Sequence, residues 1–363
     1  MSVIWLLAGL AALTVGAELL VRGASALARA VGLPPLIIGL TVVAYGTSAP
    51  EFATSVKAAL AGQADLAVGN VVGSNAFNVL FILGVSALIA PLAVSSQLVR
   101  LDVPVMIGAS AVTWAMAANG WIGRAEGAVL VGAACVYTAL LVYLGKRNPP
   151  PGEETDHQMA SPEPASPKRA RRLGLSILLV LAGLGLLVAG AGWLVRGAVE
   201  VARLMGVSEL VIGLTIVAGG TSLPEVATSV VASIRGERDI AVGNVVGSNI
   251  FNLLAVLGGA ALVTKGGIHV ADAALRFDIP IMLAVAVACL PIFLTGGRIC
   301  RWEGGLFLGY YVAYVAFLIF SAMHHRALAP YGMVMLWFVI PLTVLGVAVS
   351  LLFWLRRPRG TGG

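Results

Sequence analysis

The chain contains two copies of one segment, and this repeat constrains its fold more than any other feature. Residues 39–84 align without gaps with residues 213–258 at a constant offset of 174, and 31 of the 46 positions are identical. The first copy contains GTSAPE and then DLAVGNVVGSNAFN, and the second contains GTSLPE and then DIAVGNVVGSNIFN. Weaker echoes extend the repeat in both directions, since Arg22 matches Arg196 before it and RLDVPVM from Arg100 matches RFDIPIM from Arg276 after it. The chain is therefore predicted to consist of two related halves.

Apolar stretches long enough to cross roughly 30 Å of hydrocarbon recur along the whole chain. We predict eleven membrane spans, at residues 3–21, 35–61, 66–90, 102–119, 125–145, 173–194, 209–234, 239–263, 277–296, 302–322 and 333–355. Hydrophobic residues make up 59% of the chain and charged residues 11%, whereas a soluble domain has about 25% charged residues. The composition therefore predicts a multi-pass membrane protein and excludes a cytosolic enzyme, a secreted protein and most nucleic-acid binders.

Each copy of the repeat covers five spans, and because five is odd, the second copy enters the membrane from the opposite side. We predict an all-α polytopic fold with a first five-span repeat at 1–145, a linker at 146–172 and an inverted second repeat at 173–322. An extra C-terminal span and a basic tail occupy residues 323–363. Inverted repeats with broken helices at the centre are typical of secondary transporters, whose binding site lies near the membrane midplane.

The distribution of basic residues predicts the orientation of the chain in a cell membrane, inner or plasma. With the proline-rich linker 146–172 in the cytoplasm, 16 Lys and Arg residues lie on the inner side and 7 on the outer side. Positive residues favour the cytoplasmic side, so we expect the N-terminus outside and both the linker and the C-terminus in the cytoplasm. The same rule accounts for the net charge of +6 without a nucleic-acid partner.

Two glutamates stand near the middle of predicted spans, Glu51 in the second and Glu225 in the seventh. A carboxylate at this depth costs several kcal/mol, and a charged residue there is a functional site by default. Each glutamate follows a proline, Pro50 or Pro224. Because proline cannot donate a backbone hydrogen bond and distorts the preceding turn, we predict that both spans are broken just before the glutamates.

Oxygen-bearing side chains flank both glutamates at helical spacing. They are Thr47, Ser48, Thr221 and Ser222 in the glutamate spans, and Ser74, Asn78, Ser248 and Asn252 in the spans that follow. Carboxylate, hydroxyl and carbonyl oxygens are hard ligands that suit Ca²⁺, Na⁺ and Mg²⁺ rather than soft metals. The neighbouring Asn70, Asn75, Asn244 and Asn249 either hydrogen-bond the broken backbone of spans 2 and 7 or bind the ion directly.

At these residues the sequence resembles the calcium/cation antiporter superfamily, especially prokaryotic sodium/calcium exchangers. The paired GTS-x-PE and GN-x-x-GSN motifs are similar to the two alpha-repeats of that family. The resemblance implies antiport of Ca²⁺ against Na⁺ through a central site, with Ca²⁺ bound by Glu51, Glu225 and the backbone of Thr47 and Thr221. It further implies flanking Na⁺ sites, with Asn78 and Asn252 at the remaining central position. Those Na⁺ sites would use the Ala44 and Ala218 carbonyls with Ser48, Ser222, Ser74, Ser248, Thr47 and Thr221.

Two features depart from that family. Many of its members carry Asp where this chain has Asn78 or Asn252, so only two acids remain at the centre. The eleventh span and the cytoplasmic C-terminus also differ from a common ten-span plan.

Several functions stay open at this point. A Na⁺/Ca²⁺ antiporter is the leading interpretation, and a proton-coupled or K⁺-dependent cation exchanger is the alternative within transport. A cation channel is the alternative from another class, and it would conduct without a counter-ion. No ATP-binding motif and no nucleophile with a plausible base occurs in the sequence, so we expect neither an enzyme nor a cofactor. The expected partners are Ca²⁺, Na⁺ and the lipid bilayer.

Overall fold

The computed structural model describes residues 2–147, 167–207, 212, 216–323 and 325–356, which are mostly helical. In this part of the chain, nine helices are long and apolar enough to cross a membrane, and a bent pair of helices forms a tenth span. In chain order these are span 1 (Ser2–Val31), span 2 (Pro35–Thr47 with Ala49–Leu60), span 3 (Ala64–Ile89), span 4 (Leu98–Asn119), span 5 (Arg124–Arg147), span 6 (Ala170–Leu204), span 8 (Arg238–Val263), span 9 (Ala274–Leu294), span 10 (Arg301–Ala322) and span 11 (Leu328–Ala348). The chain is a multi-pass membrane protein.

Some of the predicted boundaries differ from the observed helices. Span 1 continues to Val31 rather than ending at residue 21, because the alanine-rich segment beyond the apolar stretch still favours helix. The helix of span 6 begins at Pro167, so the last residues of the predicted linker are helical. Residues 148–166 of that linker lie outside the described residues. Predicted span 7 is described in part, as a short helix at Ala218–Gly220 and a helix at Leu223–Ile234.

Span 2 is broken at Ser48, where its two helices meet with a bend of 45°. Ser48 has φ −83° and ψ 7°, and Ser222 has nearly the same conformation with φ −89° and ψ 7°. Both serines precede a helix that carries proline at one of its first two positions. Proline is well tolerated there, because its missing N–H would have no partner within the helix. The prediction of a break just before each glutamate is confirmed, and the break falls at the serine.

Two short strand pairs report the relative orientation of the halves. Strand β1 (Leu92–Ala93), between spans 3 and 4, pairs antiparallel with β4 (Arg298–Ile299), between spans 9 and 10. Strand β2 (Trp121–Ile122) pairs in the same way with β3 (Ile268–His269), between spans 8 and 9. The connection after span 3 thus pairs with the connection after span 9. Span 9 is the repeat equivalent of span 4, so these two connections are not equivalent in the two repeats. This exchange requires the two repeats to be inverted, as predicted from the odd number of spans.

Spans 3 and 8 form the centre of the molecule, and span 8 is almost entirely buried. The first helix of span 2 packs against span 8, while the helix at Leu223–Ile234 packs against spans 3 and 8. Spans 1 and 6 run along each other at the side, with glycines at their contact. A Cβ atom on Gly183 would lie 2.6 Å from the Leu20 nitrogen, so only glycine permits this approach. The motif-bearing spans therefore meet at the core.

Candidate functional site

The breaks in spans 2 and 7 position the two glutamates. Glu51 lies in the first turn of Ala49–Leu60, and Glu225 lies in the first turn of Leu223–Ile234. Both side chains are 0% exposed. Each lies near a helix N-terminus, where the helix dipole stabilises negative charge. Within the described residues, neither carboxylate has a Lys or Arg partner. The site thus buries two acids without a cationic side chain to balance them.

Each glutamate receives a hydrogen bond from the serine at the opposite break. The Ser48 hydroxyl donates to Oε1 of Glu225 at 2.8 Å, and the Ser222 hydroxyl donates to Oε1 of Glu51 at 2.8 Å. Ser222 also lies 3.2 Å from the Ser74 hydroxyl oxygen. Helical spacing had grouped Ser48 with Glu51 of the same repeat. The break turns the serine away from that face. The serine of each repeat therefore bonds the glutamate of the other repeat.

Asn70 and Asn244 hold the backbone at the glutamates. The Asn70 amide donates to the Glu51 carbonyl at 3.2 Å and to the Ser55 hydroxyl at 2.9 Å. Its own oxygen accepts a hydrogen bond from Thr221 of the other repeat at 3.3 Å. Of the two roles left open for Asn70, the structure therefore supports hydrogen bonding to the broken span.

Asn244 of the second repeat makes the equivalent set of hydrogen bonds. Asn244 donates to the Glu225 carbonyl at 3.4 Å and to Ser229 at 3.0 Å, and it accepts from Thr47 at 3.0 Å. Sequence reasoning missed the roles of Ser55 and Ser229. The signal was present, because each stands four residues after a glutamate at repeat-related positions.

Four deeply buried oxygens in this region have no hydrogen-bond partner within the described chain. They are Oε2 of Glu51, Oε2 of Glu225, Oδ1 of Asn78 and Oδ1 of Asn252. The helix of Glu51 packs against the segment that begins at Asn252, and the helix of Glu225 packs against the segment that begins at Asn78. Buried polar atoms are almost always paired. Unpaired carboxylate and amide oxygens are the donor set that a hard cation requires, so these residues fit such an ion.

Asn78 and Asn252 each begin a π-helical turn, at Asn78–Leu83 in span 3 and Asn252–Leu257 in span 8. Such turns are rare and frequently occur at functional sites, because they reposition side chains that a regular helix would place elsewhere. Both asparagines are 0% exposed. The sequence motif does not reveal this local change of helix geometry.

The remaining predicted residues lie around this centre. The Ser248 hydroxyl donates to the Ala44 carbonyl at 3.5 Å, and Thr47 also lies 3.3 Å from that carbonyl. Ala218 begins the short helix Ala218–Gly220, and its side chain lies outside the described residues. No group of three or more His, Cys, Asp or Glu that could hold a metal ion occurs in the described chain.

Comparison with known proteins assigns the family. The chain matches the family described as "Sodium/calcium exchanger protein" over residues 1–143 and 175–320. It is 42% identical over 325 residues to a putative antiporter, CaxA, of Alkalimonas amylolytica, covering 88% of this chain and 99% of that protein. It is 32% identical over 346 residues to the sodium/calcium exchanger MaX1 of Methanosarcina acetivorans, covering 87% of this chain and 97% of the relative.

A solved structure shares the same fold. The chain superimposes on the sodium-calcium exchanger NCX_Mj with a TM-score of 0.73 at 29% identity, covering 87% of this chain and 97% of the other. The matched residues include both glutamate-bearing segments and both central spans. Three findings indicate the same family: the family match over both repeats, the identity to relatives over nearly their full length, and the shared fold. The chain therefore belongs to the sodium/calcium exchanger family.

Proposed function

We propose that this protein is a secondary antiporter that exchanges Ca²⁺ for Na⁺ across the membrane by alternating access. One observation carries the proposal: two buried carboxylates, Glu51 and Glu225, each retain an unpaired oxygen and have no Lys or Arg partner within the described residues. A single Ca²⁺ balances both negative charges, whereas Na⁺ must enter in numbers to do so. Two ions that compete for one pair of charges have coupled fluxes.

The central Ca²⁺ site would use Glu51 and Glu225, with Asn78 and Asn252 supplying neutral oxygens. The backbone of Thr47 and Thr221 would complete the coordination, in agreement with the position of both threonines beside the breaks. Ca²⁺ takes roughly six to eight oxygen ligands in a flexible cage. The two acids alone cannot supply that number, and the unpaired asparagine oxygens support a site shared by both repeats.

Separate Na⁺ sites would lie at the serine hydroxyls and the carbonyls on either side. They would use Ser48, Ser74, Ser222 and Ser248, Thr47 and Thr221, and the carbonyls of Ala44 and Ala218. The bond between Ser248 and the Ala44 carbonyl supports one of these groups. The contact between Ser222 and Ser74 supports the other. Protons need no such additional ligands on a carboxylate, which favours Na⁺ over H⁺ as the coupling ion.

The coupling ion is tested with purified protein in liposomes. We expect an outward-directed Na⁺ gradient to drive radiolabelled Ca²⁺ uptake, because both ions compete for the same two charges. A pH or K⁺ gradient of equal size should drive little uptake. Uptake that follows the pH or K⁺ gradient and ignores Na⁺ would favour the proton-coupled or K⁺-dependent exchanger, and uptake with no counter-ion would identify a channel.

The proposed orientation places the N-terminus outside a cell membrane and both the linker 146–172 and the C-terminus in the cytoplasm. The basic residues that flank the linker support it. In a background without Cys135, Cys289 and Cys300, we expect a membrane-impermeant thiol reagent to label Ser2→Cys in intact cells. Ala160→Cys should react only after the membrane is opened. Rapid labelling of position 160 from outside would reverse the proposed orientation.

A further inference from the structure

Four buried asparagines from spans 3 and 8 form a two-fold hydrogen-bond network at the centre of the molecule. Asn249 donates through Nδ2 to the Asn75 backbone carbonyl at 3.3 Å, and Asn75 donates to the Asn249 carbonyl at 3.2 Å. Asn78 donates to Oδ1 of Asn249 at 3.0 Å, and Asn252 donates to Oδ1 of Asn75 at 3.1 Å. All four side chains are at most 2% exposed. Among the described residues, the side-chain amides of Asn75 and Asn249 bond spans 3 and 8 rather than the broken spans 2 and 7.

The direction of every bond in this network is fixed by the two backbone carbonyls. A carbonyl oxygen can only accept, so Asn249 must turn its NH₂ group toward Asn75. Its Oδ1 then faces the other way and can only accept, which requires Asn78 to present its own NH₂ group. The Asn78 oxygen is thereby turned away from the network, where it has no hydrogen-bond partner within the described chain. The two-fold-related bonds turn the Asn252 oxygen away in the same manner.

The two inner amides have little freedom to reverse. The Asn75 NH₂ group also lies 3.6 Å from the Met282 sulfur, and the Asn249 NH₂ group lies 3.5 Å from the Met106 sulfur. Sulfur is a weak acceptor, so these contacts add to the carbonyl bonds without competing with them. A reversed amide would bring its oxygen against a backbone carbonyl oxygen, and two acceptors cannot form a hydrogen bond.

An amide attracts a cation through its oxygen and repels it through its NH₂ group, and the two ends have nearly the same shape. We propose that Asn75 and Asn249 are positioning residues that fix which end of the Asn252 and Asn78 amides faces the transported cation. Asn249 fixes the orientation of the Asn78 amide, and Asn75 fixes the orientation of the Asn252 amide. This inference rests on the proposed cation site, and it assigns a specific cause to the pair of unpaired amide oxygens.

The crossed assignment gives a direct test. In Asn249→Ala, the Asn78 amide loses its acceptor and can reverse, so the half-saturating Ca²⁺ concentration for exchange should rise by on the order of tenfold. The maximal rate should change much less. Adding Asn78→Asp should restore most of the Ca²⁺ affinity, because a carboxylate presents an oxygen in either orientation. The matched control, Asn249→Ala with Asn252→Asp, adds the same charge at the equivalent position of the other repeat and should not restore the Ca²⁺ affinity.

The equivalent variants of the other repeat should show the reciprocal result. The Ca²⁺ affinity lost in Asn75→Ala should be restored by Asn252→Asp and not by Asn78→Asp. If Asn249→Ala does not fold, Asn249→Leu keeps most of the side-chain volume and removes the same hydrogen bonds. Wild-type Ca²⁺ affinity in a folded Asn249 variant, or equal rescue by both aspartates, would overturn the positioning role alone. Absence of Na⁺-driven Ca²⁺ exchange in the wild-type protein would instead overturn the proposed function and this inference with it.

Discussion

Glu51→Gln and Glu225→Gln are each expected to abolish Ca²⁺ exchange while the protein still folds and inserts in the membrane. Glutamine keeps the shape of the side chain and can still accept the bond from Ser222 or Ser48, but it removes half of the negative charge that balances Ca²⁺. Both positions are fully buried, so solvent screens the loss of charge only weakly. The loss should exceed a hundredfold, corresponding to about 2.8 kcal/mol or more.

Radiolabelled Ca²⁺ uptake into liposomes under a Na⁺ gradient measures this loss, with size-exclusion profiles and thermal unfolding as checks on folding. Glu200→Gln, the same substitution near the end of span 6, is the matched control and should exchange normally. Near wild-type exchange by either folded site variant would contradict the assignment of the two glutamates.

Ser48→Ala and Ser222→Ala should weaken the dependence on Na⁺ far more than the binding of Ca²⁺. In the structure these hydroxyls bond the carboxylates of the opposite repeat. At a Na⁺ site each hydroxyl oxygen would serve as a ligand, and a small monovalent ion has few other strong contacts. Ca²⁺ retains both carboxylates in the variants. We expect the half-saturating Na⁺ concentration to rise by roughly tenfold or more.

Na⁺-dependent Ca²⁺ efflux measured at several Na⁺ concentrations, together with equilibrium Ca²⁺ binding, separates the two effects. Ser176→Ala is a suitable control, because that buried hydroxyl bonds only the Arg172 carbonyl within the described chain. A parallel loss of Ca²⁺ binding and Na⁺ dependence would show that the serines serve the central ion instead.

The fold follows from the sequence to a large extent because its main determinants are local. Hydrophobic stretches of membrane length predict the spans, and Pro50 and Pro224 predict the breaks beside the glutamates. The predicted ends were less accurate. Span 1 extends to Val31 and span 6 begins within the predicted linker, since a helix can continue beyond the apolar segment that lies in the membrane.

The candidate site follows from the sequence in its residue types but not in its pairings. Ser48 stands three residues before Glu51, and regular helical spacing places them together. The break gives Ser48 a non-helical conformation, so its partner is Glu225, 177 residues away. In the same way, the motif GNVVGSN does not indicate that its last asparagine, Asn75, bonds span 8 while its first, Asn70, bonds span 2.

Local features of the sequence establish that this protein crosses the membrane many times and that its halves are inverted, and they single out two mid-span glutamates as a candidate site. These properties depend on local hydrophobicity, on an odd number of spans and on the cost of burying a charge. Three-dimensional packing is needed to show which hydroxyl meets which carboxylate and which end of the Asn78 and Asn252 amides forms a hydrogen bond. Those choices depend on contacts between residues 171 to 177 positions apart, where inverted packing brings the repeats together and each buried polar atom requires a partner.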